Sequence, residues 1–228
     1  MSQEGQKKKE QVVKVIVVGD LGTGKTSIIQ RYVNDKFSRK YKTTIGVDFA
    51  LKVLPFNEKT TVRLQLWDIG GQEMYRNMTR VYYKSTVGGI VAYDLTNEST
   101  FDAVLKWKED IDSKVRTEKG DPIPVILVAN KIDLLDEEQE KEQGLENWRK
   151  TKEEMDEFCK KHNFIGWFNT SAKENINIDE SAYALVDHIV TNDIHEAKEK
   201  DPNVLKIEDE EGSESDDEVE RPKKSNCC

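Results

Sequence analysis

Three short stretches of this chain carry residue types that can handle phosphate, a hard cation and a purine. The first, Gly19-Asp20-Leu21-Gly22-Thr23-Gly24-Lys25-Thr26, has the spacing G-x-x-x-x-G-K-[ST]. Its glycines let successive backbone N–H groups close around an anion, and a helix starting where the turn ends adds its dipole. Lys25 is placed to reach the β- and γ-phosphates of a nucleotide, and the Thr26 hydroxyl to ligate Mg²⁺. The binding stretch is read as Gly19 through Ser27.

The second, Asn130-Lys131-Ile132-Asp133, discriminates between purines. Asp133 can accept from the ring N1–H and the exocyclic amine of guanine. Adenine offers neither donor there and would leave a buried carboxylate unpaired, a large penalty. Lys131 is expected to lay its stem over the base and Asn130 to brace neighbouring loops. Ser171-Ala172-Lys173 closes the other edge, with the Ala172 N–H aimed at the guanine oxygen. Phe37, an aromatic in an otherwise polar loop, is the candidate edge-to-face partner of the base.

The third, Trp67-Asp68-Ile69-Gly70-Gly71-Gln72, brings an acid and an amide on a glycine loop. Asp68 is expected to hold the metal through a bound water, with Thr44 as a second hydroxyl ligand when a γ-phosphate is present. Gly71 offers its N–H to that phosphate, and Gln72 orients the attacking water. Lys25, Thr44, Gly71 and Gln72 are therefore the catalytic set, with Thr26, Thr44 and Asp68 as metal ligands. Catalysis of this kind is positioning and electrostatics. No built-in arginine is evident, so unassisted turnover is expected on the order of 10⁻⁴ to 10⁻³ s⁻¹ until a partner supplies one.

Elements must hold these loops together. Val12–Val18 is an apolar, β-branched run ahead of the cradle, and Ile28/Tyr32 and Ile29/Val33 share a helix face behind it, to about Asn34. Two alternating segments follow: Phe49, Leu51 and Val53 against Asp48, Ala50 and Lys52, then Val62, Leu64 and Leu66 against Arg63, Gln65 and Trp67. They form an antiparallel hairpin on a parallel sheet. Met74–Lys84 is read as helical. Gly88–Asp94, Pro124–Ala129 and Ile165–Phe168 are further strands, with helices through Phe101–Val115, Met155–Cys159 and Leu185–Ile194. Trp107 in the first of these helices is read as core packing. The sum is a doubly wound, mostly parallel six-stranded α/β sheet with one antiparallel edge strand. Every flagged loop follows a strand, where ligands of such sheets bind.

The 228 residues carry a net charge of −9, with pI about 5.1. That balance argues against a nucleic-acid partner. No apolar run approaches the ~18 residues of a membrane span, the polar N-terminus lacks a signal-peptide core, and three cysteines build neither a disulfide framework nor a zinc site. His162, His188 and His195 are read as surface residues. Residues 1–10 are expected to be disordered, 11–198 to form the nucleotide domain, and 199–228 to be a disordered acidic tail. From Asp201 onward ten acidic and four basic residues give −6, a composition that cannot bury enough apolar area to fold. The dense charge of 136–150 reads as a surface loop or solvated helix.

Taken in order, GDLGTGKT, TTIGVDF, WDIGGQE, NKID and TSAK resemble the Ras superfamily of small GTPases. IGVDF and the double-cysteine end are similar to the Rab family. VDFALKV, RNMTRVYYK, FDAVLKWKEDIDSKV and the GWF before TSAKENINI resemble its subfamily thirty-two/thirty-eight branch, linked to lysosome-related organelles. The resemblance spans about residues 11–195. It implies GTP/GDP and Mg²⁺ as ligands, and exchange factors, activating proteins, escort and GDP-dissociation-inhibitor proteins and effectors meeting residues 38–49 and 69–82. It also implies geranylgeranylation of Cys227 and Cys228, giving membrane attachment, and cycling between cytosol and an intracellular membrane. Two departures stand out. Leu21 occupies a cradle position where many relatives carry Gly or Ser, though leucine occurs within this branch. Gly70 stands where the family has Ala and is expected to loosen the catalytic loop. Both predict slow hydrolysis. A kinase sharing the cradle and a nucleotide binder that does not cleave remain as rival readings.

Overall fold

The computed structural model describes residues 9–72, 79–117, 119–135 and 149–192. The chain runs β1 (Lys9–Val18), α1 (Lys25–Asn34), β2 (Val47–Pro55), β3 (Thr60–Ile69), α2 (Thr79–Tyr83), β4 (Gly88–Asp94), α3 (Glu98–Asp102), α4 (Val104–Lys114), β5 (Val125–Asn130), α5 (Lys152–Lys161), β6 (Gly166–Thr170) and α6 (Ile178–Thr191), with a 3₁₀ turn at Ile132–Leu134. The six strands lie in the order β2-β3-β1-β4-β5-β6. β2 pairs antiparallel with β3, and every other pairing is parallel.

Helices cover both faces. On one, Val13, Val15 and Val17 of β1 pack with Ile28 and Tyr32 of α1 and Leu185 and Ile189 of α6. On the other, Ile16 and Val18 meet Trp107 and Ile111 of α4 and Met155 and Cys159 of α5. Double coverage explains why β4 and β5 are buried at every position; they read as continuous apolar runs because neither face meets water.

At the hairpin the register decides which residues turn inward. Ala50, Lys52 and Leu54 stand opposite Leu66, Leu64 and Val62, the buried side of β3. Phe49, Leu51 and Val53 therefore face outward beside Trp67, Gln65 and Arg63, and all three are exposed. Lys52 survives on the inner side because its ammonium sits 3.6 Å from the Tyr32 ring centroid and donates to the Tyr32 carbonyl.

Several boundaries differ from the sequence reading. β1 starts at Lys9, inside the segment expected to be disordered, because Lys9 and Glu10 pair with Thr60 and Thr61. The helix through Phe101–Val115 is two helices meeting at Ala103. His162 is half-buried, its ring 4.7 Å from that of Phe158, and burial lowers its pKa; His188 is half-buried too. Of the stretch read as helical at 74–84, only α2 falls among the described residues. The charged segment 136–148, the tail with Cys227 and Cys228, and His195 lie outside them.

Candidate nucleotide-binding site

The loops after β1, β3, β5 and β6 converge at one edge of the sheet around a cleft of about 1150 Å³. Leu21, Gly22, Gly24, Lys25, Thr26, Ser27, Phe37, Thr44, Gly71, Asn130, Lys131, Asp133, Ala172 and Lys173 line it. Gly19, Asp20, Thr23, Asp68, Gln72 and Ser171 do not, and most of these stand behind the lining. Gln72 is exposed on the turn after β3.

The cradle needs its glycines. Gly19 has φ 140°, and a Cβ there would land on the Ala92 carbonyl of β4. Gly24 has φ 92° and would place a Cβ on the Asn130 amide. Between them, Lys25 is buried and donates to the carbonyls of Gly19 (2.7 Å) and Asp20 (2.8 Å). Burial lowers its pKa to about 8, against the attraction of Asp68 and Asp20. An anion in the cleft restores the charge that burial disfavours.

Asp68 gathers the cation-type donors. It is 2% exposed, and its Oδ2 accepts from the hydroxyls of Thr26 (2.5 Å) and Thr44 (3.2 Å), themselves 2.9 Å apart. Its Oδ1 is buried with no hydrogen-bond partner. Burial pushes the carboxyl up, opposed by the two hydroxyls and Lys25. Two hydroxyls and an unsatisfied carboxylate oxygen make a donor set for a hard cation.

Asn130 ties three loops together. Its amide donates to the Thr23 carbonyl at 2.9 Å, and its oxygen accepts from Thr170 Oγ1 (3.2 Å) and the Ala172 N–H (3.3 Å). Asp133 accepts from Ser171 Oγ at 2.6 Å and lies 3.4 Å from Lys173 Nζ. Ser171 engages one carboxylate oxygen and Lys173 lies nearest the other, so the pair fixes the orientation of the group at the cleft. Phe37 is half-buried against the α1 face of the core and also borders the cleft.

Four supports escaped the sequence reading. Lys131, with φ 71°, is anchored by Asp94 at the end of β4, 2.6 Å away. Arg31 of α1 donates to the carbonyls of Ala172 (2.9 Å) and Lys173 (3.0 Å), holding that loop from below. Trp107 is fully buried, as expected of core, and its indole N–H also donates to Asp20 Oδ1 at 2.9 Å. The available signal was that a buried indole N–H seeks an acceptor. The fourth is the packing around Gly70, which is buried and donates to the Gly46 carbonyl at 2.9 Å. A Cβ there would meet the Thr44 carbonyl oxygen at 2.6 Å. Leu21 is 43% exposed at the cleft rim.

A phosphate cradle, a base-reading loop and a Thr–Asp centre at the carboxyl edge of this sheet define a P-loop GTPase domain. The sequence pattern of the Ras family matches residues 14–191. Rab-32 of Sus scrofa is 50% identical over 220 residues, 96% of this chain and 90% of that one. Rab-32A of Dictyostelium discoideum is 57% identical over 186 residues, 81% of each, and Rab-7L1 of Rattus norvegicus 45% over 184, 81% and 85%. The chain therefore belongs to the Ras family, and within it to the Rab small GTPases on the branch of Rab-32 and Rab-7L1. Membership carries with it guanine-nucleotide binding, GTP hydrolysis and a part in vesicle traffic. Among the described residues no helix is long and apolar enough to cross a membrane.

Proposed function

We propose that this protein is a GTP-driven switch that recruits effectors on the cytoplasmic face of endolysosomal or lysosome-related membranes. The observation that carries the reading is the meeting of the Thr26 and Thr44 hydroxyls on one oxygen of Asp68, whose other oxygen is buried and unpartnered. These residues would hold Mg²⁺, which supplies charge neutralisation to the β- and γ-phosphates when bound. Lys25 and the cradle N–H groups bind the same phosphates. Asp133 reads guanine, with Lys131 along the base and the Ala172 N–H toward its oxygen. Gln72 orients a water in line with the γ-phosphorus. The water oxygen bonds to phosphorus, the bridging oxygen leaves with GDP, and the water proton ends on the released phosphate. Because Thr44 comes from one loop and Gly71 from another, loss of that phosphate releases both.

Partners that sense the change would meet residues 38–49 and 69–82. The outward Phe49, Leu51 and Val53, with Ile45 83% exposed beside them, support an apolar docking face there. Exchange factor, activating protein, escort and GDP-dissociation-inhibitor proteins belong to the same reading. Prenylation of Cys227 and Cys228 would anchor the chain; two long chains at roughly 0.8 kcal/mol per buried CH₂ suffice where one short chain is marginal. The acidic tail would oppose an anionic surface, so partners rather than charge choose the organelle.

The test is nucleotide content and fate. Chromatography of the purified protein identifies the bound base, and γ-labelled GTP with Mg²⁺ reports phosphate release. Bound guanine nucleotide with slow, finite release is expected. Adenine nucleotide would overturn the base assignment, and guanine nucleotide with no release would leave a switch driven by exchange alone.

A further inference from the structure

We infer that Arg31 of α1 is a positioning residue for guanine: its guanidinium aligns the base-reading edge formed by Asp133 and the Ala172 loop, and through that edge it sets how long the nucleotide stays bound. The inference rests on the proposed reading of guanine by Asp133 and Ala172, and it goes beyond that reading by naming what aligns them.

Arg31 sits in the last turn of α1, with its side chain 16% exposed. Its planar fork divides between two segments. Nε donates to the Ala172 carbonyl at 2.9 Å, and Nη2 to the Lys173 carbonyl at 3.0 Å. Nη1 donates to the Asp35 carboxylate (2.8 Å) and carbonyl (3.2 Å) at the C-cap of the same helix, which fixes the direction of the fork.

Each bond to the loop acts on a peptide plane, and a trans peptide turns its N–H opposite to its carbonyl. With the Ala172 carbonyl drawn toward α1, the Lys173 N–H faces away from it. With the Lys173 carbonyl drawn the same way, the Glu174 N–H is left to donate to Ser171 Oγ at 2.9 Å. That hydroxyl in turn donates to Asp133 Oδ1 at 2.6 Å. An unbroken series of hydrogen bonds therefore runs from Arg31, through the loop backbone, to the carboxylate that reads guanine, and bonds linked in series strengthen one another. Asn130 holds the loop from its other side, through the Ala172 N–H at 3.3 Å. That bond must be shared once the N–H meets the guanine oxygen. The Arg31 bonds are made on the carbonyl side and persist with the base in place.

The consequence is specific to the base. None of these bonds involves the cradle or the Thr26–Thr44–Asp68 centre, so misalignment weakens a nucleotide only as far as its base offers the edge something to read. The experiment uses full-length Arg31→Ala and Arg31→Lys with two ligands: GDP, and purine riboside diphosphate, which lacks both the 6-oxygen and the 2-amine. Competition against a fluorescent GDP derivative gives both affinities, and a chase with excess GDP gives the off-rate.

For Arg31→Ala, GDP affinity is expected to fall about tenfold with the off-rate raised to match, as for loss of one charged-group hydrogen bond. Affinity for purine riboside diphosphate is expected to stay within about twofold of the parent. Lysine offers a point charge on a flexible stem and does not hold two carbonyls in one geometry. Arg31→Lys should therefore lose about threefold for GDP, again sparing the other diphosphate, and it carries the test if Arg31→Ala does not fold. Equal losses for both diphosphates would show a general loosening of the site, and parental GDP affinity in both variants would show no role at all. Either result would overturn the inference and leave the role of Asp133 standing. A parent that binds the two diphosphates equally would remove base reading itself and the inference with it.

Discussion

Trp107→Phe tests whether helix α4 serves the cradle or only the core. Phenylalanine keeps an aromatic ring in a fully buried position and removes the N–H that holds Asp20 Oδ1 at 2.9 Å. A hydrogen bond to a charged group contributes ~1.5 to 3 kcal/mol; Asp20 is half-exposed and regains part of this from water, which points to the lower end. The smaller ring adds a cavity cost of about 1 kcal/mol. Stability should therefore drop by roughly 2 to 3 kcal/mol, read from urea unfolding of the GDP complex. The functional effect has a different origin. Released from the indole, the Asp20 carboxylate is free to swing inside a cradle built for anions, and like charge there favours nucleotide escape. Dissociation of a fluorescent GDP derivative is expected to accelerate about tenfold, ~1.4 kcal/mol. Asp20→Asn separates the two origins: in that background Trp107→Phe should still lose the cavity part of its stability but no longer change the off-rate. An off-rate unchanged in Trp107→Phe, or equally raised in both backgrounds, would show that Trp107 is packing alone.

Three further outcomes are expected. Asp133→Ala removes the guanine acceptor and one partner each of Ser171 Oγ and Lys173, which keep their contacts with Glu174; GDP affinity should fall by at least ~10²-fold with selectivity over adenine nucleotides nearly lost, read by competitive displacement. Burial lifts the Cys159 thiol from 9.0 to about 12, so at neutral pH its thiolate is about a thousandfold scarcer than that of an ordinary thiol. Mass spectrometry after iodoacetamide treatment should find it unmodified in the native protein and alkylated after denaturation. Phe49→Ala removes an exposed ring that meets Trp67 edge-on at 5.7 Å; it should cost about 1 kcal/mol or less of stability while abolishing capture of partners selective for the GTP form, with GDP dissociation within twofold of the parent.

The sheet was legible because its strands obey two simple periods. β1, β4 and β5 are buried on both faces and read as apolar runs, while β3 alternates as a half-covered strand should. β2 also alternates, yet its more apolar side faces water. Alternation reports that two faces differ and not which one is inside; that is fixed by register with β3, a non-local fact. Ala50 and Lys52 are unremarkable inner residues in sequence, and contacts from distant segments, the Tyr32 ring and carbonyl and the Asp179 carboxylate, make an inward lysine tolerable.

At the site, the residues that would touch the ligand were legible and those that hold them were not. A cradle must be made of glycines followed by lysine and a hydroxyl, and a guanine reader must be an acid in a defined order, so chemistry restricts the types and the short loops fix the spacing. Supports face no such restriction. Asp94 could anchor Lys131 only because β4 and β5 end side by side, and Arg31 reaches the Ala172 loop across 141 residues of chain. Gly70 shows the limit most clearly. From composition a glycine means freedom; with the Thr44 carbonyl 2.6 Å from where its Cβ would stand, the same residue means confinement. That neighbour lies 26 positions earlier in the chain and is brought there by the antiparallel pairing of β2 and β3, which composition alone does not reveal.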